Sequence, residues 1–100
     1  MADKIKKIVQ DSYKEFRLIN SRIKLKFSDK ILLKGNKSEF DSVDIITFLT
    51  MIENNFEREL GKKLNLLDEN FFFKYETLNI KNIFDYIKKI KWRKKIFKSL

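Results

Sequence analysis

The chain has 100 residues, 43% hydrophobic and 14% aromatic with 10 Phe, which is enough apolar area for one small core and argues against a disordered chain. It contains no Cys and no His, so thiolate chemistry, the usual structural zinc patterns and every His-based triad are excluded. Lys and Arg number 23 against 14 Asp and Glu, a formal net charge of +9.

The charge is unevenly spread. The stretch 1–37 is basic, whereas 39–60 carries Glu39, Asp41, Asp44, Glu53, Glu57 and Glu59 against Arg58 alone. Residues 88–100 hold Lys88, Lys89, Lys91, Arg93, Lys94, Lys95 and Lys98 and no acid. Apolar runs such as Phe71-Phe72-Phe73 fall far short of the roughly 20 residues that span a bilayer. Met1 to Lys7 is charged where a secretory signal requires an apolar stretch, so a cytoplasmic location is expected.

With no Pro and 2 Gly, tight hairpins are poorly served and helices are expected. Ile5, Ile8, Val9, Tyr13, Phe16 and Ile19 recur at spacings of three and four, predicting a helix over 3–19 that Asn20-Ser21 ends. Residues 21–37 lack a sustained helical period. Ile23, Leu25 and Phe27 alternate with Lys24 and Lys26, and the segment reads as a long loop pinning a few apolar side chains onto the core.

A second helix is predicted over 43–60, with Ile45, Ile46, Leu49, Ile52, Phe56 and Leu60 inward and Gly61 as its stop. Within 64–73, Asp68-Glu69 can open a short helix of one or two turns. Thr77 is the expected cap of a final helix carrying Leu78, Ile80, Ile83, Phe84, Ile87 and Ile90, with Asp85, Lys88 and Lys89 facing outward. The expected fold class is all-α: a small bundle of three substantial helices and a short one, with a long loop between the first two.

Chemistry concentrates at Asp41-Ser42-Val43-Asp44, where the second helix begins. Taken alone, an Asp-Ser pair at a helix start is a cap, because the side-chain oxygens accept first-turn N–H groups and negative charge suits the helix dipole. Its surroundings add more. Placed after a long loop and followed in register by Ile46, Leu49, Ile52, Glu53 and Phe56, and later by Thr77-Leu78 and the ending Asp85-Tyr86-Ile87, the motif resembles that of an acyl carrier protein.

That resemblance implies a four-helix carrier fold over 1–90, with 91–100 as a basic C-terminal extension. It implies that Ser42 is the attachment point of 4′-phosphopantetheine, on which an acyl or aminoacyl group would ride as a thioester. Asp41, Val43, Asp44, Glu53 and Glu57 would belong to the surface that partner enzymes recognise. The partners implied are a phosphopantetheinyl transferase, which brings its own catalytic groups and metal, and the acyl-activating or acyl-transfer enzymes of a lipid, polyketide or specialised-metabolite pathway. The chain would be a monomer and not itself an enzyme.

Some residues depart from the family pattern. Glu39 stands three residues before Ser42, where many carriers have Gly, and the spacing Gly35-x-x-Ser38-x-Phe40-Asp41-Ser42 looks more like free-standing carriers of specialised pathways than the housekeeping fatty-acid carrier. Thr47 and Asn54 are neutral where acids are frequent. The apolar stripe of Ile46, Leu49, Ile52 and Phe56 with Ile5, Val9, Phe16, Ile83 and Ile87 reads first as core. The basic run from Lys88 to Lys98, interleaved with Ile90, Trp92, Ile96 and Phe97, reads as a solvated helix extension or as a contact for an anionic surface. Two rival functions follow: a small basic helical nucleic-acid-binding protein in which Ser42 is only a cap, or a carrier-like structural subunit in which Ser42 is never modified.

Overall fold

A computed structural model describes residues 2–67 and 76–99, with side chains over 4–67 and 76–89. In chain order the elements are α1 (Ala2–Ile19), β1 (Leu32–Lys34), α2 (Ser42–Leu60), β2 (Leu78–Asn79) and α3 (Ile80–Ser99).

Helix α1 buries Ile5, Ile8, Val9, Tyr13 and Phe16 on one face, as its spacing predicts. Ile19 departs from that stripe and is 68% exposed, because the last turn of α1 runs beyond the core. Phe16 stacks on Phe40, just ahead of α2, with ring centroids 5.5 Å apart, and its ring lies 5.8 Å from that of Phe48 in α2. Farther along, Ser12 of α1 meets Asn55 of α2. The two helices are therefore antiparallel, and the end of α1 lies beside the start of α2.

The connection between them is more structured than a loop that merely pins side chains. Ile23, Ile31, Leu33 and Phe40 enter the core as anchors, but Leu32–Lys34 also forms an antiparallel pair with Leu78–Asn79, Leu32 opposite Asn79 and Lys34 opposite Leu78 with an irregular register. The amides of Ile80 and Lys81 donate to the carbonyls of Ile31 and Asp29 and extend the junction. A three-residue strand offers too brief an alternation to stand out in sequence, and its partner is remote along the chain.

Helix α3 is capped by Asn79 rather than by Thr77. The Asn82 amide donates to Asn79 Oδ1 at 3.0 Å, and the Asn79 amide donates to Asn82 Oδ1 at 2.9 Å. Leu78 and Asn79 are occupied by the sheet, so the helix cannot start until Ile80. Ile80, Ile83 and Ile87 then pack fully buried against the core.

The chain is thus mostly helical, with three helices and one two-stranded sheet among the described residues. The expected short helix, placed within 64–73 and opening at Asp68-Glu69, lies from residue 68 onward outside the described residues, and residues 66–67 form a turn. No helix among the described residues is long and apolar enough to cross a membrane.

Candidate functional site: the start of the second helix

Asp41 is the N-cap of α2, with extended backbone at φ −91° and ψ 179°. Its Oδ1 accepts the Asp44 amide at 2.8 Å, and its own amide donates to Asp44 Oδ2 at 3.0 Å. This is a capping box in which Asp takes the place usually held by Glu or Gln. The geometry turns the Asp44 side chain inward, leaving the residue only 4% exposed.

A second strap comes from the segment after α1. Arg22 Nη2 donates to Asp44 Oδ2 and lies 3.7 Å from Asp41 Oδ2. Burial alone would push the Asp44 carboxyl up, but the Asp41 amide and the Arg22 guanidinium outweigh it and hold the carboxyl below the ordinary carboxylate range. The hydrogen bond to Asp44 in turn raises Arg22 above its ordinary value. The expectation that Asp44 stands free to steer partners is therefore corrected: it is a buried internal brace.

Glu53 is also drawn into the fold. Its Oε2 accepts the amides of Leu66 at 2.6 Å and Leu67 at 3.2 Å, anchoring the segment that follows α2. Of the acids proposed for recognition, Asp41 and Glu57 lie exposed.

Two serines near this junction do different work. Ser38 is committed: its hydroxyl donates to the Leu33 carbonyl at 2.8 Å and accepts the Phe40 amide at 3.0 Å. Ser42 is exposed at the first position of α2, and the cap that its identity invites is made by Asp41 instead. The Asp41 carboxylate satisfies the Asp44 amide, so the amides of Ser42 and Val43 are first-turn donors without an intrahelical acceptor.

Beside Ser42 lies an apolar pair. Val43 is 71% exposed and Ile46, one turn beyond Ser42, is 44% exposed. Ile46 thus leaves the predicted inward stripe, and Phe48, fully buried between Tyr13 and Phe16, takes that place. The signal was present in the spacing: a stripe through Ile45, Phe48, Leu49, Ile52 and Phe56 is a full helical face without Ile46.

At the opposite end of the sequence, Lys88 and Lys89 are exposed on α3, whose backbone continues helical through the basic run to Ser99. In comparisons with known proteins, no family model, no curated protein and no solved structure matches the chain.

Proposed function

We propose that the chain is a carrier protein whose Ser42 accepts 4′-phosphopantetheine, a use that the geometry at the start of α2 supports. The observation that carries this reading is the division of labour there. Asp41 and Asp44 close the cap between themselves, which leaves an exposed serine hydroxyl with no capping duty at the start of a 19-residue helix. Such a hydroxyl is accessible to a transferase.

The local electrostatics fit the group. A phosphodiester on Ser42 Oγ would stand at the positive end of the α2 dipole, near the first-turn amides of Ser42 and Val43. The arm, once attached, would hold an acyl or aminoacyl cargo as a thioester and present it to successive enzymes at high effective concentration. The chain's own residues fix the attachment point and the docking surface. Val43 and Ile46 supply apolar contact beside Ser42, and Asp41 and Glu57 supply negative charge whose attraction for a partner weakens with salt. The finer architecture that goes with this reading is a four-helix carrier bundle, with the short helix expected within 64–73 to open at Asp68-Glu69.

The test is the intact mass of the protein before and after incubation with coenzyme A and a broad-specificity phosphopantetheinyl transferase. One added phosphopantetheine, absent from Ser42→Ala, is the expected result. No addition by a transferase that modifies a control carrier overturns the reading.

A further inference from the structure

Two hollows run along the outer face of α1 where the following segment folds back over it. One, of about 260 Å³, is lined by Lys14, Arg17, Leu18, Ser21, Ile23 and Lys24. The other, of about 220 Å³, shares Lys14 and Arg17 with it and adds Gln10, Tyr13, Lys26 and Phe27. Together they form one groove with four cationic side chains and no acidic residue in its lining.

The groove is built by specific bonds. Arg17 Nε donates to the Ile23 carbonyl at 3.3 Å, and Tyr13 Oη donates to the Leu25 carbonyl at 2.6 Å. These hold the segment carrying Lys24 and Lys26 against α1, while Lys14, Lys24 and Lys26 are exposed. The same segment is strapped through Arg22 to the capping box that flanks Ser42, which ties the wall of the groove to the first turn of α2.

We infer that this groove seats an acidic, amphipathic segment of a partner protein. The inference rests on the carrier reading for what that partner is: an enzyme that must approach Ser42. Charge alone would fit any polyanion, but the apolar chemistry of the rim selects among them. Leu18 is 83% exposed within the lining and Ile19 beside it is 68% exposed. Exposed aliphatic side chains next to lysines match a helix bearing both Leu-type and Asp or Glu side chains. A nucleic-acid strand would instead seek open aromatic faces for its bases. Here Tyr13 is buried, and the Phe27 ring is engaged by Tyr13 and Phe84. The recognition surface is therefore two-signed, acidic on α2 and basic on the α1 side, and a partner that reads both must carry an acidic docking patch.

The full-length protein would be titrated with a synthetic helical peptide of Glu, Leu and Ala, with the same peptide carrying Gln for every Glu, and with a short oligouridylate, following backbone amide NMR shifts. The expected result is shifts at Lys14, Arg17, Lys24 and Lys26, with the Glu peptide bound about tenfold more tightly than the Gln peptide, as two or three exposed ion pairs would give. Lys14→Glu with Lys24→Glu should remove that advantage with the melting temperature unchanged, whereas Lys94→Glu with Lys95→Glu should preserve it. Equal binding of the two peptides, shifts confined to α3, or tighter binding of oligouridylate in the groove would each overturn the proposal. Because the titration uses the unmodified protein, it is independent of whether Ser42 takes up phosphopantetheine.

Discussion

Arg22 and Asp44 join the segment after α1 to the first turn of α2, through a charge-assisted hydrogen bond to the same Asp44 oxygen that accepts the Asp41 amide. One buried carboxylate thereby serves both as the third residue of a capping box and as a tether between two parts of the chain. Ser42 lies between the two acids of that box. Its position is consequently set by residues that need nothing from its own side chain.

The tether predicts a pH dependence. The Asp44 carboxyl is held below its ordinary value in the folded protein, and an unfolded Asp titrates at about 3.9. Its contribution to stability is accordingly full above the unfolded value and is lost as pH falls through the lowered folded value. Arg22→Gln removes one of the groups that lower it, so acid unfolding followed by circular dichroism should begin at higher pH than in the wild type. Superimposable acid curves would show that the pair contributes nothing. Asp41→Ala, which opens the capping box itself, should cost about 1 to 2 kcal/mol near neutral pH in denaturant unfolding.

The two glycines should respond unequally to Ala. Gly61 ends α2 in the left-handed region at φ 64°, its amide donating to the Glu57 carbonyl at 2.8 Å, and an added Cβ would meet open space. Gly61→Ala should therefore cost only the backbone term, about 1 kcal/mol. Gly35 has φ 141°, and a Cβ there would come within 3.3 Å of both Leu32 and Thr77 side chains. Gly35→Ala adds crowding across the β1–β2 junction to the strain, so its melting temperature should fall further. The reverse order would mean that this junction is not a fixed part of the fold.

A buried polar cluster sets how α1 and α2 lie against each other. Asn55, 4% exposed, donates from Nδ2 to Ser12 Oγ at 2.8 Å and to Glu15 Oε1 at 3.0 Å, and Ser12 Oγ donates to the Ile8 carbonyl at 2.8 Å. Asn55→Asp keeps the shape but replaces two donors with a charge facing Glu15. It should destabilise the protein by about 3 kcal/mol or more at neutral pH, with part of the loss recovered on acidification as the carboxyl takes up a proton. Denaturant midpoints at two pH values test this, and a loss that does not shrink at lower pH would refute the electrostatic origin.

Much of this fold is legible from side-chain spacing, and what is not has identifiable causes. The stripe of α1 as far as Phe16, the stop at Gly61 and the anchoring role of Ile23 follow from local pattern, whereas Leu25, in the same alternation, stays exposed. The β1–β2 pair does not, because two short segments far apart in sequence carry almost no period of their own. Choosing Asp41 over Ser42 as the cap, or Asn79 over Thr77, depends on which side chain reaches a particular amide, and neighbouring residues of similar propensity look alike in sequence. Asp44 misleads for a related reason. An acid in a first helical turn normally faces water, and it is the Asp41 amide together with Arg22, arriving from another segment, that makes its burial tolerable. The groove beside Lys14 and Lys24 was equally hidden, since those residues come together only when the segment after α1 folds back.

The outward position of Ile46 gives a direct test of the surface beside Ser42. Were Ile46 part of the core, Ile46→Asp would unfold the protein. At 44% exposure, it should change stability by only about 0.5 kcal/mol, whereas Phe48→Ala, at a fully buried position, should cost about 3 to 5 kcal/mol. The same Ile46→Asp substitution places a charge where a partner would need apolar contact. On the carrier reading it should raise the KM for the protein substrate in the phosphopantetheinyl transferase assay, with kcat little changed, because it weakens docking without touching the Ser42 hydroxyl. Val43→Asp should act in the same direction and more strongly, being adjacent to Ser42 and more exposed. Unaltered KM in both variants, with modification of Ser42 intact, would mean that the enzyme reaches the serine without using this face of α2.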